Sequence, residues 1–236
     1  MKLTTTWAKW MIGFGVVSAF LLACNITDQI AEVLATPTPS ATATRVRPPT
    51  ITPNPAMPTP LPGRTKGDPD ARVTLVEYAD FQCSHCRDFA ADAEHRIDET
   101  YVKTGKINFT YKYFPVMDGD KIGESHWAAE AAECANEQGK FWEYHDKLFA
   151  VWRGANIGTY TKANLKKYAA DLNLDTAAFN PCLDNDKYAA LVQDHLTEAL
   201  QLGLPGTPSF LLDGREIPIH SLDFSEFVRF IEPELR

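Results

Sequence analysis

The chain has 236 residues, enough for one substantial domain with tails, and 44% of them are hydrophobic, which suits a folded core. A net charge of −8 with no long basic run argues against nucleic-acid binding, because neutralising phosphates needs a basic face. The five cysteines, Cys24, Cys83, Cys86, Cys134 and Cys182, are an odd number, so one must be explained apart from any pairs.

The opening residues place Lys2 and Lys9 ahead of an apolar run over 10–23, the pattern of a secretory signal. Leu21-Leu22-Ala23-Cys24 resembles the bacterial lipobox, in which the cysteine is acylated and becomes the mature N-terminus. Leu22 stands where a small or β-branched residue is usual. The expectation is a signal peptide over 1–24 with lipidation at Cys24. The alternative is an uncleaved membrane anchor in which Cys24 is incidental. Either places the rest of the chain outside the cytoplasmic membrane, where disulfides persist.

Residues 25–66 are expected to form a disordered linker. Its 36–62 stretch is dominated by Thr and Pro and cannot bury a core. At roughly 3.1 Å per residue in an extended polyproline form, such a spacer reaches up to about 80 Å.

Regular signals begin at Gly67-Asp68-Pro69, and 67–236 reads as the folded domain. Residues 71–79 are β-rich and alternate, as a central strand does. The segment 87–105 has helical spacing and a stop at Gly105. Residues 106–114 form a second strand, closed by Pro115. A helical block follows over about 119–202. Gly206-Thr207-Pro208 then leads into a strand, a turn, a short partner strand and a terminal helix. The expected architecture is α/β, a strand–helix–strand unit interrupted by a helical insertion.

Between the first strand and helix lies Phe81-Gln82-Cys83-Ser84-His85-Cys86. The thiolate attacks disulfides, so a catalytic cysteine needs a lowered pKa. A helix N-terminus aims unpaired N–H groups at Cys83, and Cys86, one turn in, is placed to resolve. The helix dipole contributes at most about 2 kcal/mol. The lowest thiol pKa values require about 7 kcal/mol, so direct N–H bonds and His85 must add the rest. Stabilising the Cys83 thiolate favours the reduced form, which makes the disulfide easy to pass on.

This motif after a strand, the late Thr207-Pro208 and the helical block between them resemble the DsbA-like thiol:disulfide oxidoreductases, over about residues 67–236. The resemblance implies a thioredoxin-like fold, Cys83 as nucleophile, Cys86 as resolver, and a cis peptide before Pro208 that presents Thr207 to an extended substrate. It also implies a buried acid at Glu77, six residues before Cys83, able to take the Cys86 proton. Lys112 on the next strand is a candidate partner for Glu77, the other reading being an ordinary surface lysine.

A zinc site built from Cys83, His85 and Cys86 lacks further ligands, and no metal or cofactor is expected. The simplest assignment for Cys134 and Cys182, both in the helical block, is a structural disulfide. The leading expectation is a monomeric, membrane-anchored extracytoplasmic oxidase acting on reduced secreted proteins. By the family likeness it is reoxidised by a membrane quinone-linked enzyme of the DsbB or vitamin K epoxide reductase type. The rivals are an isomerase or reductase of the same fold, and a non-catalytic lipoprotein using the scaffold for binding or metal delivery.

Overall fold

The computed structural model describes residues 62–236. The expected signal peptide, Cys24 and all but the last residues of the expected linker lie outside the described residues.

Five strands form one sheet in the order β1-β3-β2-β4-β5. Strand β2 (Val73–Ala79) is central, as its alternating apolar pattern predicts. It runs parallel to β3 (Ile107–Tyr113), with Ala79 opposite Tyr113, and antiparallel to β4 (Ser209–Leu212). Strand β5 (Arg215–Glu216) pairs with β4 across a turn in which Asp213 and Gly214 both have positive φ. Two such central residues give the turn twist that hairpins favour.

The edge strand β1 (Thr65–Gly67) pairs antiparallel with β3, Thr65 opposite Thr110 and Gly67 opposite Asn108. The expected linker boundary at residue 66 is therefore corrected, because strand pairing begins at Thr65. Arg64 fixes the junction. Its guanidinium pairs with Glu133 at 2.6 Å and donates to the Tyr111 carbonyl at 3.2 Å.

The parallel β2–β3 connection carries α1 (Ser84–Ala91) and α2 (Ala93–Ile97). Sequence spacing reads one helix here, but the helix breaks at Asp92, whose backbone is not helical (φ −133°, ψ −71°). The break turns Ala93, Glu94 and Ile97 inward, and Glu94 meets Lys66 of β1 at 2.9 Å. A wide π-helical turn (Asp98–Val102) follows and ends near Gly105, whose φ of +72° suits a residue without Cβ.

Alternation along β2 sends Val73 and Leu75 to one face. There they pack with Phe89 of α1, Phe210 of β4, and Phe227 and Ile231 of α8 (Phe224–Glu234). Tyr78 faces the other way, against Leu204 and Ala199.

The helical block comprises α3 (Glu124–Asn136), α4 (Phe141–Ala150), α5 (Lys162–Asp171), α6 (Thr176–Asp184) and α7 (Ala189–Gln201). Helix α3 is its axis, packed on the other four. It is buried on nearly every face, and Ala128, Ala131, Ala132 and Ala135 let neighbouring backbones come close. Cys134 of α3 and Cys182 of α6 are bonded, with Cα atoms 5.9 Å apart. In the chain-entropy picture, closing a loop of 48 residues stabilises by about 4 kcal/mol.

Candidate redox site

The end of β2 delivers Asp80, Phe81 and Gln82 into a tight turn closed by the Cys83 N–H on the Asp80 carbonyl at 3.0 Å. Cys83 is the N-cap of α1, with extended backbone angles and no side-chain cap of its own. The unpaired first-turn N–H groups of α1 thereby gather around its sulfur. Cys83 and Cys86 are both buried and are not bonded to each other.

The two sulfurs are driven apart electrically. The Cys83 thiol is lowered to about 5, first by a hydrogen bond from Cys86, then by the Thr207 side chain and the backbone N–H groups of Cys86 and His85, against the effect of burial. Burial and the neighbouring Cys83 sulfur push Cys86 up. The Thr207–Pro208 peptide is cis, and the Thr207 carbonyl lies 3.3 Å from the Cys83 sulfur. The structure thus brings Cys83, Cys86, Thr207 and Pro208 together from two distant stretches.

Glu77 lies on the same face of β2 as Leu75, opposite Tyr111 and Phe210 in register. It is fully buried, and among the described residues neither carboxylate oxygen has a hydrogen-bond partner. Burial first, then the nearby Glu94 and Cys83 charges, hold its pKa well above the usual carboxylate range, with Lys66 acting the other way. A carboxyl held neutral next to a thiol pair is suited to receive and return a proton.

Lys112 does not partner Glu77. Register places it opposite Tyr78 on the other face, where it pairs with Glu198 at 2.7 Å. The cation nearest in effect to Glu77 is Lys66, from the edge strand. The exposed His85 ring hydrogen-bonds to neither sulfur among the described residues. It lines a cleft of about 260 Å³ with Pro208, Ile219, His220 and Leu222, and its contribution to Cys83 comes through its backbone N–H.

Sequence reasoning missed the polar web beneath the turn. Asp80 is buried and accepts from Ser125 Oγ at 2.7 Å, Met117 N at 2.8 Å and Gln82 N at 2.8 Å. Burial raises it to about 6 against those bonds. The available signal was the spacing itself, since Asp80 and Gln82 flank an aromatic residue at the mouth of a central strand.

A family model described as thioredoxin matches residues 61–233. The Na(+)/H(+) antiporter NhaA 3 of Salinispora tropica is 35% identical over 150 residues, 64% of this chain and 21% of that protein. The chain thus spans about a fifth of the length of the curated antiporters it matches. Disulfide bond formation protein D of Bacillus subtilis is 27% identical over 175 residues, covering 72% of this chain and 76% of that one. The crystal structure of oxidised BdbD from Bacillus subtilis matches with a TM-score of 0.65 and 25% identity, over 74% of this chain and 94% of that one.

Proposed function

The chain belongs to the thioredoxin family, and from that membership we propose that it is a DsbA-like thiol:disulfide oxidase working outside the cytoplasmic membrane. It donates the Cys83–Cys86 disulfide to reduced secreted or envelope proteins. The observation that carries this reading is the split between the two thiols, Cys83 lowered to about 5 and Cys86 raised. A stabilised Cys83 thiolate favours the reduced protein and so favours giving the disulfide away.

In the oxidised protein, a substrate thiolate attacks Cys83 Sγ. The Cys83–Cys86 bond breaks, and Cys86 leaves as a thiolate that takes up a proton from Glu77. A second substrate thiolate attacks the substrate sulfur of the mixed disulfide, and Cys83 departs as a thiolate. The substrate dithiol loses two electrons and two protons. The pair gains the electrons, one proton restores Glu77 after it has protonated Cys86, and the other passes to solvent because Cys83 stays a thiolate. Thr207 and Pro208 hold the substrate backbone beside the sulfur as an added strand.

Completing the cycle needs an oxidant, for which a membrane quinone-linked reoxidase is the partner in this reading. Lipidation at Cys24, or an uncleaved anchor, keeps the domain at the membrane. The Lys2–Cys24 pattern supports that placement.

The test is the redox equilibrium of the Cys83–Cys86 pair against glutathione. A potential near about −120 mV supports donation, and one near about −270 mV overturns it in favour of a reductase. In a reduced Cys86→Ala variant, the Cys83 thiolate should attack disulfide-bearing secreted proteins, breaking their S–S bond and accumulating as mixed disulfides for want of a resolving thiol. If none form with such disulfide-bearing proteins, the exchange reading itself fails.

A further inference from the structure

Gln82, immediately before Cys83, is a polar residue with no exposure to solvent. Its Nε2 donates to Ser125 Oγ at 2.8 Å, Asp118 Oδ1 at 2.9 Å and, more distantly, Asn156 Oδ1 at 3.2 Å. Its Oε1 accepts from the Asn156 N–H. Its main-chain N–H goes to Asp80, and its carbonyl accepts from the Trp152 indole at 2.9 Å. Every polar atom of the residue is therefore engaged. All partners but Asp80 come from the helical block or the loop leading into it.

The preceding carbonyl follows suit, since Phe81 O accepts from Tyr160 OH at 3.1 Å. Both carbonyls ahead of the nucleophile are thus oriented by side chains of the helical block. Among the described residues, no hydrogen bond runs from that block to Cys83 itself. Whatever orienting force the block exerts on the sulfur through hydrogen bonds passes through the residues before it.

We propose that Gln82 is a positioning residue, the link by which helices α3–α7 hold the Cys83 sulfur against the N-terminus of α1. Bonds from backbone N–H groups to a sulfur weaken steeply with misplacement, so the loop must be held from behind for them to act. The helical block thereby does more than cover the redox pair: it sets how reactive the pair is. The inference deepens the oxidase reading, because it concerns the same sulfur. Alkylation reports that sulfur whichever way the protein moves electrons, so the two readings fail separately.

The experiment follows the rate of iodoacetamide alkylation of Cys83 in the reduced full-length chain between pH 3.5 and 8. It compares the natural protein with Gln82→Ala, Trp152→Phe and Tyr144→Phe. In Gln82→Ala the half-titration point is expected to rise by about one pH unit, with the rate at pH 5 falling about fivefold. Trp152→Phe, which removes the indole donor but keeps an aromatic ring, should move the profile in the same direction. Tyr144→Phe removes a buried bond to the Leu165 carbonyl elsewhere in the helical block and should leave the profile in place. The proposal is overturned if the Gln82 and Trp152 profiles superpose on the natural one, or if Tyr144→Phe moves as far as they do. Should Gln82→Ala not fold, Trp152→Phe decides alone.

Discussion

Arg64 and Glu133 meet at 2.6 Å with both side chains shut off from solvent, one just ahead of the first strand and the other in the axial helix. Glu133 also accepts from Tyr113 OH at 2.8 Å and Asn136 Nδ2 at 3.1 Å, so its charge is well satisfied. Breaking such a pair strands a buried ion, whereas replacing both partners need not. Arg64→Ala should lower unfolding stability by about 3–5 kcal/mol in urea titration. The double variant Arg64→Met, Glu133→Leu should recover most of that. A single variant as stable as the natural protein would contradict the ion-pair account.

The lowered Cys83 pKa makes a prediction about stability and pH. Between pH 5 and 8 the folded reduced protein carries a thiolate that the unfolded chain, titrating near 9, holds protonated. The contribution is thus present at high pH and lost as pH falls through about 5. At pH 7, well above the folded value, it amounts to about 3 kcal/mol in favour of the reduced form. Paired thermal melts of reduced and oxidised protein should show that gap at pH 7 and its closure near pH 4. A gap independent of pH would count against the thiolate.

Glu77 is expected to trade stability for rate. A buried carboxyl without a hydrogen-bond partner costs about 1–3 kcal/mol, so Glu77→Leu should unfold at higher denaturant concentration than the natural protein. The same variant should oxidise a reduced model peptide roughly 100-fold more slowly, the scale of a lost proton donor to the departing Cys86. An unchanged rate would leave Glu77 a structural residue.

Asp80 titrates the other way from Cys83. Its folded pKa, about 6, lies above the usual value near 3.8, so its stabilising contribution is present below pH 4 and lost as pH rises through 6. An elevation of that size is worth about 3 kcal/mol. Asp80→Asn should flatten the loss of stability between pH 4 and 6, read as denaturant midpoints across that range. If the slope is the same in both proteins, the carboxyl does not titrate as described.

The strand–helix–strand frame and the cysteine pair were legible because they depend on local patterns: alternation in 71–79, helical spacing after Cys86, and Pro208 ahead of a short apolar strand. The family resemblance places Glu77 beneath the pair; strand pattern alone leaves an exposed carboxylate open. Arg64 could not be found that way. Its partner is remote in sequence, and the Thr/Pro run before it reads as spacer up to the first strand residue. Neighbouring strands alone leave Lys112 either a partner of Glu77 or an ordinary surface lysine, and register parity, invisible in the sequence, sends it to the opposite face. The break at Asp92 was hidden because apolar spacing continues across it, and Gln82 reads as a surface residue until the helical block closes over it.

The pairing of Thr65 with Thr110 has a consequence for how the domain is held. Strand β1 runs against β3, and β3 runs with β2, so the chain enters the sheet at the end where β2 hands over to Cys83. The first described strand thus starts toward the working end of the sheet, two strands to the side of the one that carries the thiols. The buried Arg64–Glu133 pair rivets that edge to the axial helix, so loosening it frees the sheet edge on the side of the redox pair.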